Sequence, residues 1–197
     1  MSDLAGLWPL PDQTLRERLE EAYRAPGRGY HDRRHLDEVL HHVDELLPAG
    51  HPDRDVVLLA AWFHDAVYDG RPDDEERSAL MAEDLLDGPQ AGEVARLVRL
   101  TADHRPAEGD LAGQVLCDAD LAILAASPQR YASYVAGVRA EHAHVPDADF
   151  AAGRAAVLRD LLAKPTLFHT APARRRWEDV ARANAERELA GLDARPT

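Results

Sequence analysis

Eight apolar residues run without a break from Val56 to Phe63 and meet His64-Asp65, after which Ala66 and Val67 resume the apolar character. The stretch Val56–Asp69 is apolar enough to be a helix buried in a core. A carboxylate carried into such a place is expensive, because a buried charge must find a partner or take up a proton. A metal ion answers both demands, since neutral imidazole and carboxylate are good ligands and the cation neutralises the acid.

The rest of the chain is punctuated for helices. Asp12 caps a first helix to about Arg24, with Leu15, Leu19 and Ala22 as its apolar stripe, and Pro26-Gly27-Arg28-Gly29 breaks it. Asp32 caps a second, with His35 in the first turn and Leu36, Val39, Leu40, Val43 and Leu47 on the buried face. Asp53 opens the apolar helix. The acidic run Asp73–Glu76 precedes an amphipathic segment to about Leu86, as negative charge at a helix N-terminus favours. Further helices are expected over Ala91–Thr101, Gln114–Leu124, Ser127 to about His142, Asp147–Ala163 and Thr170 to about Leu189. No stretch alternates as strands do and no period repeats. The expectation is an all-α bundle of about eight helices, one domain over residues 1–197 with its core at about 11–190.

Net charge of −13 argues against broad binding to nucleic acid polymers or anionic membranes, while leaving room for a small anionic substrate in a locally positive pocket. The one long apolar window, Val56–Val67, is too short to span a bilayer. The first ten residues lack the basic start and apolar core of a secretory signal. The single Cys117 rules out an intramolecular disulfide and a cysteine-rich zinc site. A cytoplasmic setting is therefore expected. Lys164 is the only lysine, so the positive charge is otherwise arginine throughout.

Four positions on three expected helices and their flanks form the candidate metal site: His35, His64, Asp65 and Asp120. Each stands beside apolar neighbours, so each can point inward. Two imidazoles with two carboxylates suit a divalent manganese, iron, zinc or magnesium ion and leave positions open for water and substrate. Taken singly, any of the four could be a capping or core polar residue satisfied by hydrogen bonds.

This pattern resembles the HD-domain metal-dependent phosphohydrolases, an all-helical family with an H…HD…D signature. The likeness is closest to a branch of predicted phosphohydrolases without an established substrate. It rests on Tyr30-His31 with His35, on Trp62-Phe63-His64-Asp65-Ala66-Val67-Tyr68-Asp69, and on Glu75-Glu76-Arg77-Ser78-Ala79. Thr101 with His104, Tyr131 and Tyr134, Val138-Arg139 with Glu141, Gly153-Arg154 and Ala181-Arg182-Ala183-Asn184 add to it. Asp32 and Asp74 depart from the branch, which has Asn there, but both keep a side chain able to cap a helix. The resemblance implies that His35, His64, Asp65 and Asp120 bind the metal and that the reaction is hydrolysis of a small, nucleotide-like phosphate ester.

Other residues carry open alternatives. His31 and His104 either stabilise charge on the phosphate, hold water, ligate a second metal, or are loop histidines. Asp69, four residues past Asp65, is a general acid or base if the helix continues, and a turn residue if it does not. Arg139 and Arg34 are substrate-binding candidates; Arg139, Glu141 and the Arg33-Arg34 pair could equally be solvated or internally paired. Asp118 either orients a ligand or lies outside. Trp62, Phe63, Tyr131 and Tyr134 belong to the core, and His41-His42 and His142–His144 to the surface. A metallopeptidase reading of His31-Asp32-Arg33-Arg34-His35 fails to explain His64-Asp65 and has Asp where Glu is required. A non-catalytic module sensing a nucleotide or metal is the alternative from another class.

Overall fold

The computed structural model describes residues 4–194, and among these it is all-helical. A 3₁₀ turn, Leu4–Leu7, leads into α1 (Gln13–Ala22), α2 (Arg33–Leu46), α3 (Arg54–Phe63), α4 (Asp74–Leu85) and α5 (Gln90–Leu100). Then come α6 (Leu111–Leu121), a second 3₁₀ turn (Ala122–Ala125), α7 (Pro128–Glu141), α8 (Asp147–Ala163) and α9 (Ala171–Asp193). Among the described residues nine α-helices thus stand where about eight were expected. No single helix among the described residues is long and apolar enough to cross a membrane.

Several expected caps form. Asp12, Asp32, Ser127 and Thr170 each accept a backbone N–H of the first turn that follows, satisfying donors with no partner inside the helix. Helix α6 begins at Leu111 rather than Gln114, because Asp110 accepts from Gly113 N and starts the helix earlier.

The central helix is α3, whose residues Val57–Phe63 are all buried. It packs against α2, α5 and α6, and α4 packs on α5. The Trp62 indole donates to the Leu7 carbonyl at 3.1 Å and meets Trp8 edge-on, so the N-terminal turn closes one end of this core. A second apolar cluster joins Leu124, Tyr131, Tyr134, Leu167, Phe168 and Trp177, between the second 3₁₀ turn, α7 and α9. As expected, Trp62, Phe63, Tyr131 and Tyr134 are core residues.

Asn184 on α9 ties this second cluster together. Its buried amide donates to the carbonyls of Leu124 at 2.9 Å and Ala126 at 3.0 Å, closing the backbone where α6 gives way to α7. Asn184→Ala would leave both acceptors unpaired, with an expected cost of about 1–3 kcal/mol. A urea midpoint lowered in proportion, at unchanged slope, is the measurement that checks it.

Candidate metal centre

Helix α3 stops at Phe63 although no glycine or proline ends it. The chain is instead taken over by side chains from elsewhere. Asp65 N–H donates to the Tyr23 hydroxyl at 3.2 Å, Val67 N–H to Ser78 Oγ at 3.0 Å, and Asp69 N–H to Asp74 Oδ2 at 2.8 Å. Arg28 supplies the complementary donors, to the carbonyls of Asp65 at 2.8 Å, Ala66 at 3.0 Å and His31 at 2.7 Å. Backbone groups released by the broken helix thus gain side-chain partners. The result is that His64 and Asp65 sit at the helix end, where both side chains turn to the same place.

That place is shared by His35 and Asp120. His35 lies in the first turn of α2, its N–H held by the Asp32 cap at 3.1 Å. Asp120 is the last residue but one of α6. The two Nε2 atoms of His35 and His64 are 3.0 Å apart. Asp65 Oδ2 lies 3.2 Å from His35 Nε2 and 3.0 Å from His64 Nε2, and Asp120 Oδ1 lies 3.3 and 3.8 Å from the same atoms. His35, His64 and Asp120 form a compact group able to hold a metal ion. Ligands about 2.1 Å from a small divalent cation lie about 3.0 Å apart at right angles and about 3.4 Å apart at tetrahedral angles. The spacings here fall at or close to those values.

The donor chemistry agrees. His64 Nδ1 is 2.7 Å from the Ala61 carbonyl, which fixes the proton on Nδ1 and leaves the Nε2 lone pair for the cluster. Both imidazoles are about 1% exposed. Burial pulls their pKa values down, but hydrogen bonds to Asp120 and Asp65 outweigh it and push His35 up to about 10; the Asp65 charge raises His64 likewise. Burial raises Asp65 and Asp120, yet the facing imidazoles hold both below the ordinary carboxylate range. The negative field reaches Glu75, whose carboxyl is raised first by burial and then by the Asp65, Asp74 and Asp120 charges. Such a cluster attracts positive charge, whether protons or a cation.

No protein-family model, curated protein or solved structure matches this chain. What the site can do is therefore argued from its own geometry.

His104 and His31 flank the cluster. His104 Nε2 bonds Asp120 Oδ2 at 2.8 Å. Its backbone has φ of 52°, the only positive value outside glycine among the described residues, and a strained conformation of this kind persists where surroundings enforce it. Lys164 does part of that, donating to the carbonyls of Asp103 at 3.2 Å and His104 at 3.5 Å. His31 stacks on Tyr68 with ring centres 4.1 Å apart and bonds Glu141 Oε2 at 2.9 Å.

Glu141 is the residue whose importance the sequence concealed. It sits at the end of α7, yet its Oε1 accepts the N–H groups of Gly29, Tyr30 and His31 at 2.8–2.9 Å, and its Oε2 accepts from the Tyr68 hydroxyl at 3.2 Å. Burial raises its pKa, but the bonds to His31 and the backbone carry it down from 4.5 to about 2. A carboxylate depressed in the folded state stabilises fully above its unfolded pKa, and loses that contribution as pH falls through the folded value. The stability gap between wild type and Glu141→Gln is therefore expected to be widest above about pH 5 and to shrink towards pH 2. Urea unfolding at pH 7, 4 and 3 checks this; a gap independent of pH overturns it.

Other expected site residues are engaged elsewhere. Asp69 does not continue one face with Asp65, because α3 has ended; its carboxylate pairs with Arg77 at 2.7 Å, half exposed. Arg139 bonds Asp147 and the carbonyls of His142 and Val145 and lies over Phe150, bracing the α7–α8 junction. Arg34 pairs with Glu38 at 3.0 Å and is mostly exposed. Asp118, fully buried, accepts the N–H groups of His169 and Thr170 at 2.7 Å and anchors the start of α9. Asp74 holds the N–H groups of Asp69 and Arg71, so it caps the loop before its own helix. Arg28 and Tyr23, which shape the His64-Asp65 turn, carried no local signal.

Proposed function

We propose that this protein is a metal-dependent phosphohydrolase acting on a small phosphate ester. The observation that carries the reading is the meeting of four ligand atoms from α2, the end of α3 and α6, at 3.0–3.8 Å across its His–His and His–Asp pairs. His35, His64, Asp65 and Asp120 would hold the cation. When bound, a divalent ion supplies Lewis acidity, lowering the pKa of water and polarising a phosphoryl oxygen.

The chain's own residues supply the rest. With His35 and His64 as neutral ligands, a divalent cation would offset the Asp65 and Asp120 carboxylates, so that a dianionic phosphate would meet no uncompensated negative wall. His104, fixed on Asp120 through Nε2, and His31, fixed on Glu141 through Nδ1, border the cluster with side chains 18% and 22% exposed, and as imidazolium each would have its second ring N–H left for a phosphate oxygen. Tyr68 and Glu141 prevent the His31 ring from swinging away. The resemblance to HD-domain phosphohydrolases in the sequence supports the same reaction class.

The test is release of inorganic phosphate from a panel of phosphate monoesters, diesters and anhydrides in the presence of manganese, iron, zinc or magnesium. Turnover that chelation abolishes and metal restores is the expected result. Saturable binding of the same compounds without phosphate release in any metal would instead mark a sensing module.

A further inference from the structure

His104, which bonds Asp120 of the cluster, also lines an open pocket of about 440 Å³. Its walls come from the loop after α5, from the end of α8 and from the turn that follows α8. Arg105, Asp160, Lys164, Thr166 and His169 are its other polar members. We propose that this pocket binds a phosphate-class oxyanion, held between Arg105 and Lys164. The proposal does not need the metal cluster to hydrolyse anything.

The pocket is positive in an acidic chain. Against a net charge of −13 for the whole protein, two cations, Arg105 and Lys164, here face one carboxylate, Asp160. Burial lowers the pKa of His169, so its ring adds no charge at neutral pH. The Lys164 ammonium donates to the carbonyls of Asp103 at 3.2 Å and His104 at 3.5 Å. Among the described residues no carboxylate pairs with it. An ammonium has three N–H donors, so Lys164 keeps its charge and one donor for a ligand.

Arg105 is equally uncommitted. Its Nη2 stands 3.6 Å from Asp160 Oδ1, longer than a hydrogen bond, and the two side chains are 62% and 66% exposed. Such an exposed pair is weak and easily exchanged. Elsewhere the arginine forks are filled: Arg130 binds both oxygens of Glu38, and Arg154 both oxygens of Glu188. A free guanidinium fork beside an ammonium suits the several oxygens of a phosphate. Two cations with one competing acid also favour a dianion over a monoanion such as acetate.

Both walls are already in place. On one side Asp103 Oδ1 accepts the Arg105 N–H at 3.0 Å, and Lys164 clamps the strained His104 backbone. On the other, Asp118 accepts the His169 N–H at 2.7 Å, and Arg182 donates to the Lys164 carbonyl at 2.8 Å. An anion entering here therefore has little backbone to order.

Inorganic phosphate, titrated into the full chain in chelator and about 0.15 M chloride, is the test. The chelator prevents a metal from holding the phosphate. Saturable binding is expected, moving the backbone NMR signals of Arg105 and Thr166, while acetate moves neither. Arg105→Ala and Lys164→Gln are each expected to weaken phosphate binding at least about tenfold, the loss of a charge-assisted hydrogen bond. Asp160→Asn, which removes the competing carboxylate, is expected to tighten it about two- to fivefold. Arg105→Ala, changed at the surface, should fold and hold manganese like wild type. The proposal is overturned if phosphate moves neither signal, if acetate binds as tightly, or if Arg105→Ala binds phosphate like wild type. Manganese-loaded protein then distinguishes the source of the anion. A bisphosphonate that binds more tightly than phosphate, and loses that gain in Arg105→Ala, marks the pocket as the seat of a distal group on a metal-bound ligand. Equal affinities, lowered alike by Arg105→Ala, mark a site for free phosphate.

Discussion

His64→Ala, freed of metal and then equilibrated with manganese, is expected to bind at least about a hundredfold more weakly than wild type. Its Nε2 stands 3.0 Å from both His35 Nε2 and Asp65 Oδ2, so its removal takes away an atom at the centre of the cluster. The loss should appear in stability as well as in elemental analysis. A ligand at a hundred times its Kd stabilises the folded state by about 2.7 kcal/mol. For a chain of this length that raises the melting temperature by about 5–10 °C. Wild type should show the rise on adding manganese and lose it on chelation; His64→Ala should show about 1 °C or less. Asp120→Ala should behave alike and should also release His104, whose 2.8 Å bond is to the other oxygen of that carboxylate. Equal metal content and equal manganese-dependent stabilisation in wild type and both variants would sink the ligand assignment.

The meeting of His35, His64, Asp65 and Asp120 was legible in the sequence because its signal is local. An acid and an imidazole at the end of eight apolar residues must be buried or must stop the helix, and either outcome puts them beside the core. His35 follows its cap by three residues, and Asp32 fixes where that cap is. Asp120 sits among buried residues of α6. What the sequence could not show is what arrives from far along the chain. Tyr23, Arg28, Ser78 and Asp74 end α3 together, and none of them bears on the periodicity of residues 56–69. This is why Asp69, plausible one helical turn beyond Asp65, ends at the surface with Arg77. Glu141 and Arg139 looked alike as charges near the end of one helix. One is turned back onto the loop before α2 and the other forward onto α8, a difference set by tertiary packing alone.

Gly137→Ala is expected to be the most damaging single methyl added to the chain. A Cβ at Gly137 would lie 2.5 Å from the Gly29 carbonyl oxygen and 2.8 Å from its carbon, and a Cβ at Gly29 would meet the Gly137 oxygen at 2.5 Å. Two backbones cross here with no room for a side chain on either. The obstacle is main chain, which cannot rotate away, so α7 and the loop before α2 must part. Overpacking of this kind costs about 2–3 kcal/mol, which lowers the melting temperature by about 4–12 °C. Gly153 on α8 is the control: a Cβ there meets nothing within 4 Å, and Gly153→Ala in a helix interior should stabilise by about 0.5–1 kcal/mol. The crossing also has a bearing on the site. It is the close approach at Gly137 that lets Glu141, one turn further on, reach the N–H groups of Gly29, Tyr30 and His31. Gly137→Ala should therefore loosen His31 while leaving His35, His64 and Asp120 on their own helices. Under the proposed activity, phosphate release should fall at near-normal manganese content, the opposite pairing from His64→Ala, where metal and turnover should be lost together. A Gly137→Ala protein as stable and as active as Gly153→Ala would show that the contact between α7 and the His31 loop does not hold the site.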